Sequence, residues 1–283
     1  MAIDHDAAIL RYYNKRESRW GYRWLLKGVR HYGYYPAGFR FGFASAQRAM
    51  ERELGRALAL PEGSRVLDAG SGEGRVALLL AQEFGLQIFG VDLVEHSVLE
   101  AQRLAAQHPD AQIHFERGDY NRLPFPDSSF AGAFTMETLV HASDPAHALG
   151  ELARVMHPGG HLALFEYTIA PLRSMSSHDR AIWDDIVAGA AMPALAQFTH
   201  ASFPELLASA GFDDIRVQDF TTAVLPMLRQ LSWIATPVYL LMRSSTKRRR
   251  LVNVTAGATM YYQAAVRDNW RYVKVTARRG LDR

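Results

Sequence analysis

Between Ser64 and Phe220 the chain alternates short apolar runs with stretches whose apolar residues recur every three or four positions. The first pattern suits strands buried on both faces, the second amphipathic helices. Strands are predicted over Arg65–Ala69, Gln87–Val91, Gln112–Phe115, Ala131–Met136, His161–Tyr167 and Ile215–Phe220, and helices over Arg75–Phe84, Ser97–Gln107, Ala146–Met156 and Phe203–Ala210. Strands separated by helices need right-handed crossovers, so the expected fold is α/β, a doubly wound and mostly parallel sheet.

The flanks have another texture. Residues 1–60 are dense in Tyr, Trp, Arg and Gly and read as an N-terminal aromatic helical cap. The core is expected over 61–223 and 269–283, with an insert at 169–199 that interrupts the alternation. Residues 224–268 form a second insert: an apolar helical stretch (Leu225–Met242), a basic run (Arg243–Arg250) and a further helical stretch to about Arg267. Trp270–Ala277 alternates as a strand, an antiparallel edge partner for Ile215–Phe220. Both inserts would emerge near the carboxyl ends of strands or the sheet edge, as helical lids over a site.

Composition narrows the class. Hydrophobic residues are 48% and charged residues 22% of 283, which excludes global disorder. The net charge of +3 is too small to argue for a nucleic-acid partner, although the pI is about 9.1. With no cysteine there is no disulfide framework and no thiolate chemistry, which fits a cytoplasmic setting. The first ten residues carry two acids and do not read as a secretory signal. The uncharged stretch Gln230–Met242 contains Pro237 and is too short to cross a bilayer, so peripheral membrane contact is the most that is expected. No His, Asp or Glu grouping has metal-ligand spacing, so no metal is expected.

The sharpest motif is Val66-Leu-Asp68-Ala-Gly70-Ser-Gly72-Glu-Gly74-Arg75. An apolar strand runs into a glycine-rich turn that opens a helix, whose first N–H groups can meet an anionic group. A dinucleotide fingerprint would want its third glycine where Arg75 stands, which demotes a nicotinamide cofactor. Asp92, ending the second strand with Leu93 after it, can accept both hydroxyls of a ribose. Asp119, in Gly118-Asp-Tyr120, can accept from an exocyclic amine of adenine. Each acid alone reads as a strand-end cap or turn residue. Three in register after successive strands read as a nucleoside site.

Together with Pro158-Gly-Gly160, these residues resemble the class I S-adenosylmethionine-dependent methyltransferases, with a Rossmann-like fold, over about residues 64–167. The resemblance implies that Gly70 and Gly72 pack on the methionine part of the cofactor and that Asp68 orients its amino-acid end. Asp92 would hold the ribose, and Asp119 with Tyr120 would border adenine. Glu137-Thr-Leu-Val-His141-Ala-Ser-Asp144-Pro145 is similar to the signature of sterol 24-C-methyltransferases and tocopherol-type methyltransferases. His31-Tyr-Gly-Tyr-Tyr-Pro36, Phe165-Glu-Tyr167, Trp183–Gly189 and Leu207–Phe212 follow the sterol enzymes' order. The longer, more acidic N-terminal aromatic segment of those enzymes is not reproduced.

A carboxylate at the carboxyl end of the fourth strand faces the crevice where open sheets bind ligands, and burying it calls for a positive partner, His141 or a cationic intermediate. Glu137 and His141 are therefore the candidate catalytic pair; helix capping by Glu137 is the structural alternative. From the aromatic block, Tyr34 and Tyr35 are expected in the acceptor pocket, with Trp183 and Tyr261 from the inserts. Met175, Met192, Met227 and Met260 could form an adaptable wall or simply fill core. Lys247–Arg250 could meet a diphosphate or an anionic membrane surface, or be a solvated helix face. The leading expectation is carbon methylation of an isoprenoid, prenylated or sterol-like alkene through a carbocation. The alternatives are O- or N-methylation of an aromatic or polyketide product, and cofactor binding without transfer. Oligomeric state, including a homo-oligomer, is left open.

Overall fold

The computed structural model describes residues 5–14, 29–36, 42–242 and 251–281. Seven strands form one sheet in the order β3-β2-β1-β4-β5-β7-β6. β1 (Arg65–Ala69) pairs in parallel with β2 (Gln87–Asp92) and β4 (Phe130–Met136). β3 (Ile113–Arg117) is parallel to β2, and β5 (Met156–Ile169) to β4. β7 (Trp270–Arg279) runs antiparallel to both β5 and β6 (Phe212–Asp219). The Rossmann-like, mostly parallel architecture is as expected, but β7 does not sit at the edge. It is inserted between β5 and β6, and β6 takes the edge.

Side-chain composition explains that order. Trp270, Tyr272, Val273, Val275 and Ala277 of β7 are buried, whereas β6 beyond Phe212 carries Asp213, Asp214, Arg216, Gln218 and Asp219. An apolar strand gains from two neighbours, and a charged one blunts an exposed edge.

Among the described residues the helices are α1 (His5–Asn14), α2 (Phe43–Leu58), α3 (Arg75–Phe84), α4 (Glu95–Gln107), α5 (Pro145–Val155), α6 (Ser177–Ala190), α7 (Ser202–Ser209), α8 (Thr221–Met242) and α9 (Val252–Ala265). Their boundaries follow local chemistry. Asp144 caps α5 through the His147 N–H, with Pro145 in the first turn, and Ser176 caps α6 through the Asp179 N–H. The predicted helix over 146–156 gives way at Met156, which already pairs with Phe130 in the sheet. α2, α3 and α4 pack side by side, while α8 and α9 form a hairpin docked on α6 and β7. Asp179 of α6 accepts from Gln263 Nε2 of α9 (2.8 Å) and from Arg267 (2.7 Å), which ties the two inserts together. No helix among the described residues is long and apolar enough to cross a membrane. Strand order reverses between β1 and β4, which opens a crevice at their carboxyl ends.

Candidate active site

The turn after β1 is built around glycines that nothing else could replace. Gly70 has φ +93°, and a Cβ there would lie 2.6 Å from Thr138 Cβ; Gly74 has φ +78°, and its Cβ would meet the Phe115 ring at 2.7 Å. Gly74, expected from the motif among the cofactor-binding residues, packs the start of α3 against β3 and is not among the residues that line the pocket. Of the other residues singled out as cofactor-binding, Asp68, Gly70, Gly72, Asp92, Leu93, Asp119 and Tyr120 are brought together in the lining of one pocket.

Asp92 accepts from the Gly72 N–H and the Val94 N–H, both at 2.8 Å, so it holds the glycine turn while a second lone pair on each oxygen stays available. Burial pushes its carboxyl up, and those N–H groups and Arg30 pull it back. Asp68 sits well above the usual carboxylate range through burial and the charge of Asp92. Its Oδ2 and the Ser71 Oγ are buried without a partner. Asp119 Oδ1 accepts from the backbone and side chain of Asn121, and Tyr120 donates to the Thr138 carbonyl at 3.1 Å. Two orphaned polar atoms at the glycine turn, an acid after β2 and a Leu93–Tyr120 wall fit an amino acid joined to a nucleoside.

The other half of the crevice starts where β4 ends. Glu166 of β5, fully buried, accepts through one oxygen from Thr135 Oγ1, the Thr138 N–H and the Leu139 N–H, each at 2.9 Å. Burial nonetheless raises its carboxyl to about 8. Thr138 Oγ1 donates to the Ala69 carbonyl at 2.8 Å, which fastens this turn to β1. Glu137, caught between these anchors, takes φ +58°, a conformation that side chains other than glycine adopt at a cost of about 1–3 kcal/mol. Glu137 lines both pockets, and no side-chain cap bond holds the helical turn that follows it, which sets the helix-capping alternative aside.

Glu137 Oε1 accepts from the Tyr32 N–H at 2.6 Å and from the Tyr272 hydroxyl at 2.9 Å, and no hydrogen bond among the described residues reaches Oε2. Burial lifts this carboxyl to about 7, while the charge of His31 and the two donors pull it down. Its positive partner is thus His31 rather than His141. The His31 ring donates through Nδ1 to the Tyr32 carbonyl (2.9 Å) and faces Glu51 Oε1 through Nε2 (3.1 Å). Burial alone would lower the His31 pKa; Glu51, Glu137 and the Tyr32 carbonyl outweigh it, and the net direction is upward. His141 Nδ1 lies 2.8 Å from the Ala191 carbonyl and must donate to it, which leaves Nε2 to accept from Tyr13 at 3.0 Å. His141 lines the site with its basic nitrogen already engaged.

A second pocket opens beyond Glu137, sharing Tyr13, Arg30, His31, Glu137 and His141 with the first. Its walls include Tyr12, Tyr32, Tyr167, Trp183 and Trp270, with Met192, Met227 and Met260. Trp183 is where it was expected, and three of the four methionines contribute; Met175 is buried in the core instead. Tyr34, Tyr35 and Tyr261 are not pocket residues. The 31–36 segment is threaded between helices by bonds from the Tyr34 N–H to the Ala46 carbonyl and from the Tyr35 N–H to the Ala223 carbonyl. Tyr35 is buried against Ala46 and Met227, and Tyr34 packs on Phe220. Tyr261 packs against the main core, and its turn of α9 presents Met260. Lys247–Arg250 lies outside the described residues. His31, Tyr32, Tyr272 and Glu166 were not singled out as site residues from sequence; the His31–Pro36 segment, the Phe165-Glu-Tyr167 match and the alternating β7 pattern were their signals.

A family model described as a methyltransferase domain matches residues 67–164. An S-adenosyl-L-methionine-dependent Diels-Alderase, iccD of Talaromyces variabilis, is 37% identical over 280 residues, covering 96% of this chain and 94% of that protein. The chain belongs to the class I S-adenosylmethionine-dependent methyltransferase family. It is an enzyme of that family, and its cofactor is S-adenosylmethionine. Among solved structures the methyltransferase is similar to the [4+2]-cyclase SpnF, with a TM-score of 0.69 and 25% identity, covering 90% of this chain and 88% of that one. The geranyl diphosphate C-methyltransferase of Streptomyces coelicolor A3(2), solved with Mg2+, geranyl diphosphate and S-adenosyl-L-homocysteine, shares the fold at a TM-score of 0.73 and 16% identity, over 98% of this chain and 99% of that one. The likeness to this Diels-Alderase extends over nearly the full length of both sequences.

Proposed function

We infer that this enzyme methylates carbon on an apolar, unsaturated small molecule of isoprenoid or related type held in the second pocket, with Glu137 as the group that meets the reacting carbon. The carrying observation is the placement of Glu137: strained, half-buried, poised near neutral pH, lining both pockets, and with Oε2 outside every hydrogen bond among the described residues. When bound, S-adenosylmethionine supplies the electrophilic methyl group. Asp68, Asp92 and Asp119 would hold it along the glycine turn. As positive charge develops on an alkene, the ionised Glu137 stabilises it and then takes the proton whose loss restores the double bond. The Tyr and Trp faces of the second pocket support the same charge and exclude water. The engaged Nε2 of His141 makes it the weaker candidate for a base, which disfavours O- or N-methylation led by that ring.

A second reading is favoured by the full-length likeness to a Diels-Alderase. There the same pocket folds a polyene, Glu137 is protonated and donates a hydrogen bond to a carbonyl beside the reacting alkene, and the cofactor is not consumed. Incubation with methyl-labelled S-adenosylmethionine and isoprenoid or polyene acceptors separates the two. Label in a base-stable C-methyl product is expected. Loss of the diene absorbance without label would replace the first reading by the second, and label on oxygen or nitrogen would overturn both.

A further inference from the structure

The α8–α9 hairpin has two faces with different partners. Its inner face, through Met227, Leu228 and Leu231 of α8 and Val252, Ala256 and Met260 of α9, walls the second pocket. The carboxyl half of α8 presents Trp233 (68% exposed), Ile234 (53%), Val238 (42%), Leu240 (52%) and Leu241 (85%) to solvent. Positions 233, 237 and 241 and positions 234 and 238 are adjacent i, i+4 rows, so these side chains form one continuous apolar face rather than scattered residues. Soluble proteins seldom leave such a face uncovered.

The charge of the sequence that carries this face points to what covers it. From Phe220 to Arg267 the sequence carries seven Arg and Lys residues and no Asp or Glu. The whole chain nets +3, so everything outside this stretch nets −4. Arg229 stands over the Trp233 ring at 5.4 Å, which puts a cation at the border of the apolar face. A second copy of the chain would bring two such cationic stretches together across a symmetric contact. Nucleic acid would match the charge and leave Leu240 and Leu241 in water. An anionic bilayer surface answers both features, with Trp and Leu at the headgroup boundary and cations on the phosphates. α8 contains Pro226 and Pro237, and it is not apolar enough to cross a membrane, so it would lie in the interface.

We propose that the outer face of α8 docks the enzyme on anionic lipid surfaces, which sets the wall of the acceptor pocket against the phase in which an apolar acceptor is dissolved. The docking does not depend on which reaction the site performs. The test is flotation of the full chain with vesicles of phosphatidylcholine alone or phosphatidylcholine mixed with phosphatidylglycerol. At low salt, at least about tenfold more protein is expected with the anionic vesicles, and raised salt should release it. Trp233→Gln with Leu241→Gln should abolish flotation while thermal unfolding and S-adenosylmethionine affinity stay at parental values. Equal flotation with neutral and anionic vesicles, insensitivity to salt, or full flotation of the double variant would each overturn the proposal, and the vesicle comparison needs no variant to fold. Light scattering that finds a dimer, converted to monomer by the double variant and indifferent to vesicles, would assign the face to a second copy instead.

Discussion

Glu137 gathers an unusual set of constraints for one side chain: positive φ, partial burial, two donors on one oxygen and a nearby imidazole. If its charge is used in the reaction, Glu137→Gln should leave cofactor affinity intact and cut turnover by roughly a hundred- to a thousandfold, the cost of about 2.7–4 kcal/mol for one preorganised electrostatic contact. The pH profile adds a sign. Methyl transfer with Glu137 as base needs the ionised form, so kcat/KM should rise with pH through about 7, the value for the free enzyme. His31→Gln removes the positive charge that eases this ionisation, and the acid limb should move upward by on the order of one pH unit. A profile that falls through the same range would instead speak for a protonated Glu137 and a cyclisation. Glu137 itself was legible in the sequence, because a carboxylate at a strand's carboxyl end is conspicuous. Its partners were not: Tyr32 acts through its backbone N–H, which no side-chain pattern reveals, and Tyr272 lies 135 residues away in the chain.

At the level of elements, the turn after β4 is held by a buried acid from the next strand. Glu166 has a folded pKa of about 8 against an ordinary 4.5, so it stays protonated in the folded protein over a range where the unfolded chain is ionised. The sign follows from linkage. Its contribution to stability is complete below about 4.5 and is lost as pH rises through about 8. Glu166→Gln, which keeps an acceptor for the Thr138 and Leu139 N–H groups, should flatten the decline of the unfolding temperature across that interval; an unchanged decline would count against the assignment. Asp179 behaves in the opposite sense. Burial would raise its carboxyl, but Ser176, Gln263 and Arg267 hold it down at about 2, so its contribution is present above the ordinary carboxylate range and fades as pH falls toward 2. Asp179→Asn should weaken the link from α6 to α9, and hydrogen exchange should report faster opening of α9 than of β1. The alternation of apolar runs exposed the strands and helices because burial on both faces leaves a strong imprint. The insertion of β7 was hidden because edge and interior antiparallel strands differ only in how much of the second face is apolar.

For the molecule as a whole, one sheet divides the labour. Parallel strands β1 to β4 present the cofactor turn, and the antiparallel end carries the aromatic wall and one donor to Glu137. The sequence announced the first half clearly, since the glycine turn and its acids are local. The second half depends on segments far apart in the chain, and the tyrosines expected in the pocket proved to be the ones packed between helices. The position of β7 has a further consequence for synthesis. It follows every other described strand in chain order, yet it lies between β5 and β6. On the ribosome, then, β5 and β6 emerge with the slot between them vacant, and the Tyr272 hydroxyl reaches Glu137 only when translation has passed Arg279. Until that moment the nascent chain leaves the β5 edge that β7 will pair with unfilled, a row of free backbone N–H and C=O groups that invites chaperones or neighbouring nascent chains, and Glu137 lacks one of its two donors.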